Sequence, residues 1–439
     1  MNKWLWLMLF GCTIAQADML QALKAYEERN YTVAQQTFAE LLPLGNELAA
    51  FNLGAMAYQG EGQDADLVKA IAYFTLAAEL KHNRVQPILT SLTGKASAEQ
   101  LKQANILFEQ LRQSVVVVPA QLNQSKPAAD MPEPLKRVAP TYPKNAARDG
   151  KFGYVALRFL VDEQGEVTAV DTLDAYPENT FEKSAIQAVK KWRYAASEKK
   201  HLFNVRLDYS LEGYVKLSTV EKVVAENHLW DYAVAGAPQY QFALGMLLSL
   251  MEVQSHNSLW FDPDLALSAE PDFSIYKKRA TLRPDFDGFW GYAVVRVAPD
   301  GTITEQLEAD IEAKSEITSL IGQKLKGEVE AEVYRINRQS DIRGSKMSVT
   351  ASLQVPRSMS GQYWWQQAAK NGSVEAQRVM AAYDKQWENY LLARQDEEVM
   401  AWTGTRLILE GQREQGMLLL EQAIAKNYAP AKEMKQQFM

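Results

Sequence analysis

Cysteine is nearly absent from this 439-residue chain, with a single residue, Cys12, close to the start. One thiol cannot build a disulfide framework, so stability has to come from packed apolar surface. Histidine is scarce too. His82, His201, His228 and His256 are scattered, and none lies with another His, Cys or carboxylate at a metal-ligand spacing such as H-E-x-x-H. No G-x-S-x-G elbow, P-loop or Rossmann glycine fingerprint occurs. Asp262, Asp264 and Asp272 share a loop-like stretch without the D-x-D-x-D-G…E order of a defined calcium site. Asp162, Glu163 and Glu166 crowd one turn and read as a solvated turn, not an acid/base pair. Positive charge is outnumbered, 47 Lys and Arg against 54 Asp and Glu, for a net charge of −7. That balance argues against a nucleic-acid partner and gives no attraction to anionic lipid. The expectation is a protein with no catalytic residues, no metal and no cofactor.

Long apolar runs are missing as well. The longest, Trp4 to Phe10, follows Lys3 and precedes the Ala15-Gln16-Ala17 site. This pattern predicts a cleaved secretory signal peptide over 1–17, with no transmembrane helix in the mature chain and a periplasmic location. A second reading stays open: Leu9-Phe10-Gly11-Cys12 is similar to a lipobox, which would make Cys12 a lipidated membrane anchor.

What is present is ordinary globular composition, 47% hydrophobic and 23% charged, and one well-patterned stretch from Pro140 to Leu211. Val155, Leu157, Phe159 and Val161 alternate along one face, Glu163-Gln164-Gly165 turns the chain, and Val167 to Leu173 returns as a second strand. Asn179 with Glu182 has the pattern of a capping box. Phe181, Ala185, Val189 and Trp192 then recur on one helical face. Phe203, Val205, Leu207, Tyr209 and Leu211 alternate with Asn204, Arg206, Asp208 and Ser210, which completes a ββαβ unit.

That order, with Tyr142-Pro143 ahead of it, D-G-x-x-G-Y from Asp149 to Tyr154, and Trp192-Arg193-Tyr194 after the helix, resembles the C-terminal domain of the TonB energy-transducer family. The resemblance implies a periplasmic module that binds an extended peptide by lending it a sheet edge. Its partner-binding residues would be Tyr142 and Pro143 together with Phe203, Asn204, Val205, Arg206, Leu207, Asp208 and Tyr209. Asn204, Arg206 and Asp208 would select the partner. Tyr142-Pro143 can equally be read as pinning its segment to the sheet, and Trp192 as core.

The rest is mostly helical pattern. Between Ala49 and Ala78 the order L-G-x-x-x-Y-x-G-x-G…K-A-x-x-Y-F-x-x-A-A is similar to a Sel-one-like repeat, a relative of the tetratricopeptide repeat. Ser97 with Gln100 is another capping box. Similar patterns recur around Leu229–Gly245, Trp364–Met380 and Gly416–Ala423. Asp287 to Ile303 repeats D-G-x-x-G-Y-x-x-x-R, and a helix is expected through Ile317, Leu320, Ile321 and Leu325.

The expected fold class is therefore α+β multidomain, TonB-like ββαβ domains alternating with helical repeats. The segments are helical repeats 18–112, a linker 113–135 with β-prone Val115–Val118, and a TonB-like domain 136–216. There follow a helical segment 217–260, a loop 261–279, a degenerate second copy 280–356 and helical repeats 360–439. The functional expectation is a non-enzymatic periplasmic adaptor accessory to TonB-dependent outer-membrane transport. Its partner would be a TonB-dependent receptor or a TonB-system component. The alternative is a structural envelope scaffold associated with peptidoglycan or with itself, as a homodimer through β edges. A TonB transducer carries an uncleaved anchor that contacts the ExbB–ExbD motor and a long proline-rich spacer. This sequence shows neither, so the resemblance implies no independent use of the proton gradient.

Overall fold

The computed structural model describes residues 18–82, 84–116, 131–262, 264–265, 267–268, 270–338 and 347–439. The expected signal peptide, Cys12 and Val117–Val118 lie outside the described residues. Among the described residues no helix is long and apolar enough to cross a membrane.

The chain is a mixture of helix and strand. It opens with α1 (Met19–Glu27), α2 (Tyr31–Leu41), α3 (Glu47–Gln59), α4 (Leu67–Glu79), α5 (Val85–Lys95) and α6 (Ala98–Ser114). Next come β1 (Pro134–Lys136), α7 (Lys144–Arg148), β2 (Gly153–Val161), β3 (Val167–Tyr176), α8 (Glu182–Val189), β4 (Arg193–Tyr194) and β5 (His201–Tyr209). Helices α9 (Leu217–Glu226), α10 (Leu229–Val234) and α11 (Pro238–Gln254) lead to β6 (Ser258–Asp262), β7 (Arg283–Pro284), β8 (Gly291–Val297) and β9 (Ile303–Ile311). Then follow β10 (Leu325–Lys326), β11 (Val333–Arg338) and β12 (Ser348–Pro356). The tail holds α12 (Gly361–Lys370), α13 (Val374–Ala381), α14 (Lys385–Ala393), α15 (Glu397–Leu409), α16 (Arg413–Ala425) and α17 (Ala429–Gln436).

These elements gather into two compact units. The first takes the described residues of 18–125 with 234–239 and 366–399. Its helices start where short polar side chains accept orphan N–H groups: Asp18, Asn46, Asp66 and Ser97 are the N-caps of α1, α3, α4 and α6. The Ser97–Gln100 capping box is complete in both directions. Helices α3 and α4 lie so close that a Cβ on Gly54 would sit 3.0 Å from the Phe74 ring. Chain segments more than 300 residues apart are stitched together here. Asn46 Nδ2 donates to the Lys370 carbonyl at 2.9 Å and to Asn371 Oδ1 at 2.8 Å, and Lys370 pairs with Glu47 at 3.0 Å. Val115 and Val116 form no strand. Val115 is the C-cap of α6, and the Val116 N–H donates to Pro43 O at 2.9 Å.

The second unit, residues 126–233, 240–365 and 400–439 as far as they are described, holds two larger sheets. One has the strand order β3-β2-β5 and the other β6-β12-β11-β8-β9. Across the expected boundary between linker and TonB-like domain, Pro134–Lys136 forms β1 and pairs with β4, the Arg193-Tyr194 strand. Helix α8 begins at Glu182, not just after Asn179. Asn179 has φ 56°, and the Glu182 carboxylate accepts the N–H groups of Asn179 (2.5 Å) and Phe181 (2.9 Å). The acid half of the expected capping box forms in register, but the N-cap is Phe181, two residues later than expected. Leu211 lies beyond the end of β5 and is 59% exposed.

The second sheet departs further. The helix expected through Ile317, Leu320, Ile321 and Leu325 is absent, and turns leading into β10 take its place. Leu320 and Leu325 are buried, but Ile321 is 58% exposed, so the four residues share no face. Ser315 explains part of this. Its Oγ bonds locally to the Ile317 carbonyl, which competes with a helical ladder, and reaches the distant Gly288 carbonyl and Trp290 N–H, which tie the segment to the start of β8. Strand β6, where sequence pattern expected the helical segment to run into a loop, joins this sheet in parallel on β12.

Candidate partner-binding edge

The first sheet and α8 enclose one core. Val155, Leu157, Phe159 and Val161 from β2 meet Phe181, Ala185, Val189 and Trp192 along the α8 face, all buried. Gly153 opens β2 because nothing larger fits: at φ 154° its Cβ would lie 1.7 Å from Tyr176 O. The segment before the sheet is tied into this core. The Trp192 indole N–H donates to Val138 O at 2.9 Å, and the Tyr142 hydroxyl donates to Lys151 O. The Tyr142 ring meets Phe181 and Tyr209 edge-on at centroid distances of 5.5 and 5.8 Å. Pro143 is the residue before α7.

Strand β5 is an edge. All nine of its residues pair antiparallel with β2, and among the described residues no strand lies on its other side. Phe203, Val205 and Leu207 pack partly against the core, Tyr209 is buried, and Asn204 and Asp208 are exposed. An edge strand offers unpaired N–H and C=O groups to an incoming chain.

Arg206 is held inward on the sheet's opposite face. Its guanidinium lies 3.6 Å from the Tyr154 ring centroid, donates to Ser249 Oγ of α11 at 2.9 Å and pairs with Asp208 at 2.8 Å. The rest of that face is equally occupied. Arg158 and Asp171 stand opposite each other on β2 and β3 and pair at 3.3 Å. Arg158 lies 4.5 Å from the Trp402 ring, and the Trp402 indole N–H donates to Asp171 Oδ2 at 3.0 Å. The Tyr428 hydroxyl donates to the same oxygen. Sequence pattern gave no sign of this node, because an Arg and an Asp at alternate strand positions read as a solvated face.

Two buried acids flank Arg206. Burial pushes the Asp174 carboxyl up to about 6, against the pull of Tyr154 and Arg206. Burial likewise pushes Glu252 up to about 7, although its Oε1 accepts the Gly361 N–H at 2.6 Å. A folded state that raises an acid's pKa keeps a proton that the unfolded chain has released. The associated stability is fully present below about pH 4 and is lost as pH rises through 6 and 7. Glu163, held below the usual carboxylate range by Lys200, titrates at lower pH and does not affect that window. Thermal unfolding of this unit is therefore expected to begin at a higher temperature at pH 5 than at pH 8. Asp174→Asn and Glu252→Gln should each flatten the dependence; an unchanged slope in both would show that neither acid is responsible.

Residues 138–212 match the family described as Gram-negative bacterial TonB protein C-terminal. The chain is 43% identical over 65 residues to protein TonB of Yersinia enterocolitica, covering 15% of this chain and 26% of that protein. Residues 138–212 are a TonB C-terminal domain. Protein TonB of Salmonella typhimurium is 34% identical over 96 residues, covering 21% of this chain and 40% of the relative. This chain thus spans well under half the length of these relatives. The solution NMR structure of the Pseudomonas aeruginosa TonB CTD is 25% identical with a TM-score of 0.18, covering 20% of this chain and 91% of that one. The TonB C-terminal domain here consists of the β3-β2-β5 sheet, α8 and the segment pinned by Tyr142 and Trp192.

The second sheet treats the same edge differently. Strand β11 occupies the place of β5, antiparallel beside β8, but β12 pairs along its other side. The edge corresponding to β5 is closed there by the chain itself.

Proposed function

We propose that this protein is a non-enzymatic envelope adaptor, accessory to TonB-dependent outer-membrane transport, that docks an extended partner segment on β5. The observation that carries this reading is the nine-residue edge strand in a TonB C-terminal domain, paired on one side only among the described residues. Main-chain bonds along the strand supply affinity, and the exposed Asn204 and Asp208 contribute selectivity. Tyr142 and Pro143 hold the preceding segment beside Tyr209. Phe203, Val205 and Leu207 keep the strand flat against its core. Arg206, engaged by Ser249 and Tyr154, orients the strand from behind and does not read the partner.

The test is photo-crosslinking in cells from position 204, whose side chain is exposed and makes no demand on the core. Capture of an outer-membrane receptor segment, or of a TonB-system component, is the expected result. Capture of other copies of this chain alone would replace the adaptor with a self-associating scaffold.

A further inference from the structure

The two sheets of the second unit carry the same side-chain constellation on the face away from their cores. Tyr154 and Arg158 of β2 correspond to Tyr292 and Arg296 of β8, following the shared D-G-x-x-G-Y-x-x-x-R pattern. Strand register extends the correspondence to partners distant in sequence. Arg158 faces Asp171 and Arg296 faces Glu305, ion pairs of 3.3 and 2.9 Å. Ala156 faces Arg206 and Val294 faces Arg335. Each of these arginines lies over the tyrosine of its own copy, Arg206 at 3.6 Å and Arg335 at 4.9 Å from the ring centroid. Even the register shift recurs, between Ala156 and Leu157 in one hairpin and between Val294 and Val295 in the other.

Two contacts are peculiar to the second sheet, Arg296 to Glu332 and the Tyr292 hydroxyl to Glu308, and the larger difference is the cover. In the TonB C-terminal domain the constellation lies beneath helices: α11 brings Ser249 to Arg206, and Trp402 of α15 lies over Arg158. Side-chain exposure there is 10% for Arg158 and 17% for Asp171. At the matching positions of the second sheet it is 39% for Arg296 and 54% for Glu305. Arg335 is exposed, and its guanidinium has no hydrogen bond or ion pair among the described residues. An arginine fixed over an aromatic ring with its donors unspent is prepared for a hydroxyl or carboxylate.

We propose that the outer face of the second sheet, centred on Tyr292, Val294, Arg296 and Arg335, is a docking socket for an amphipathic helix of a partner protein. The covered copy defines the chemistry of the occupant: a carboxylate or hydroxyl to meet Arg335, and an aromatic side chain to lie over Arg296. This is a second interaction surface, separate from the β5 edge and built from side chains instead of main-chain groups.

The test uses the full-length chain in cells with a photoreactive residue in place of Val294, and adducts mapped to the residue by mass spectrometry. The expected adduct lies in a partner segment bearing an acidic or hydroxyl side chain and an aromatic. That segment, made as a peptide, should gain helical circular dichroism on binding the purified protein. Arg335→Glu should reduce the adduct at least tenfold while leaving melting temperature and capture from position 204 unchanged. The proposal is overturned by no adduct, by an adduct that survives Arg335→Glu, by one on another copy of this chain, or by a captured peptide that binds without becoming helical. Loss of capture from position 204 alone would count against the β5 edge and leave this socket standing.

Discussion

Proline placed at two neighbouring positions of β5, as Asn204→Pro and Val205→Pro in separate proteins, is expected to produce two different failures. Adjacent residues of a strand direct their N–H groups to opposite edges, one toward β2 and the other away from it. Proline at the inward position removes a ladder bond and lowers the melting temperature. Proline at the outward position leaves the fold within a few degrees of wild type but abolishes partner capture, because it deletes a donor from the docking edge and bars continuous pairing. Because Val205 packs against the core and Asn204 is exposed, each proline is compared with alanine at the same position, which removes the side chain and keeps the N–H. Equal destabilisation by both would mean that β5 is covered on both sides, and the strand-addition site would be withdrawn.

A second large effect is expected at Asp171. Asp171→Ala removes a carboxylate paired with Arg158, whose side chain is only 10% exposed, and with it the acceptor used by both Trp402 and Tyr428. Breaking a buried pair from one side costs about 3–5 kcal/mol, because the remaining charge is left desolvated. For a unit of this size each kcal/mol lowers the melting temperature by roughly 2–4 °C, so a fall of about 10 °C is expected in a thermal scan. Removing both charges, as Arg158→Met with Asp171→Leu, should recover most of the loss. A fall under about 1 kcal/mol for Asp171→Ala would show the pair to be solvent-screened and the helices to be held by apolar contact alone.

The two effects lie on the two outer strands of one sheet, β5 and β3. On β5, function asks for backbone groups left unpaired. Behind it, stability comes from side chains on β2 and β3 that pair with one another and with helices packed over them. An antiparallel sheet commonly leaves one face to water, as β8 does with its regular alternation of buried and half-buried residues. The TonB C-terminal domain has instead given its second face to helices from later in the chain, and Arg206 contacts both regions.

Much of this was legible in the amino-acid sequence. Period-two alternation in 153–161 and 201–209, the α8 stripe from Phe181 to Trp192, the Ser97–Gln100 box and the repeated D-G-x-x-G-Y pattern are local signals. Each depends on the geometry of a few consecutive residues. The glycines of that pattern have a local reason too: Gly153 and Gly291 both lie at positive φ, where a Cβ would strike the facing strand. The misplaced expectations also have local causes. The Ser315 hydroxyl bonding the carbonyl two residues on competes with a helix there, and a left-handed Asn179 delayed another.

What only the tertiary structure decided is which surfaces are taken. Matching side chains are covered by helices in one sheet and more exposed in the other, because the cover comes from Ser249 and Trp402, dozens to hundreds of residues away. Likewise β5 and β11 look equally suited to pairing, and only the placement of β12 closes one and leaves the other as an edge. Periodicity records that a residue belongs on a strand and on which face. Whether that face or edge meets water, a helix or another strand depends on long-range packing, which no short window of sequence encodes.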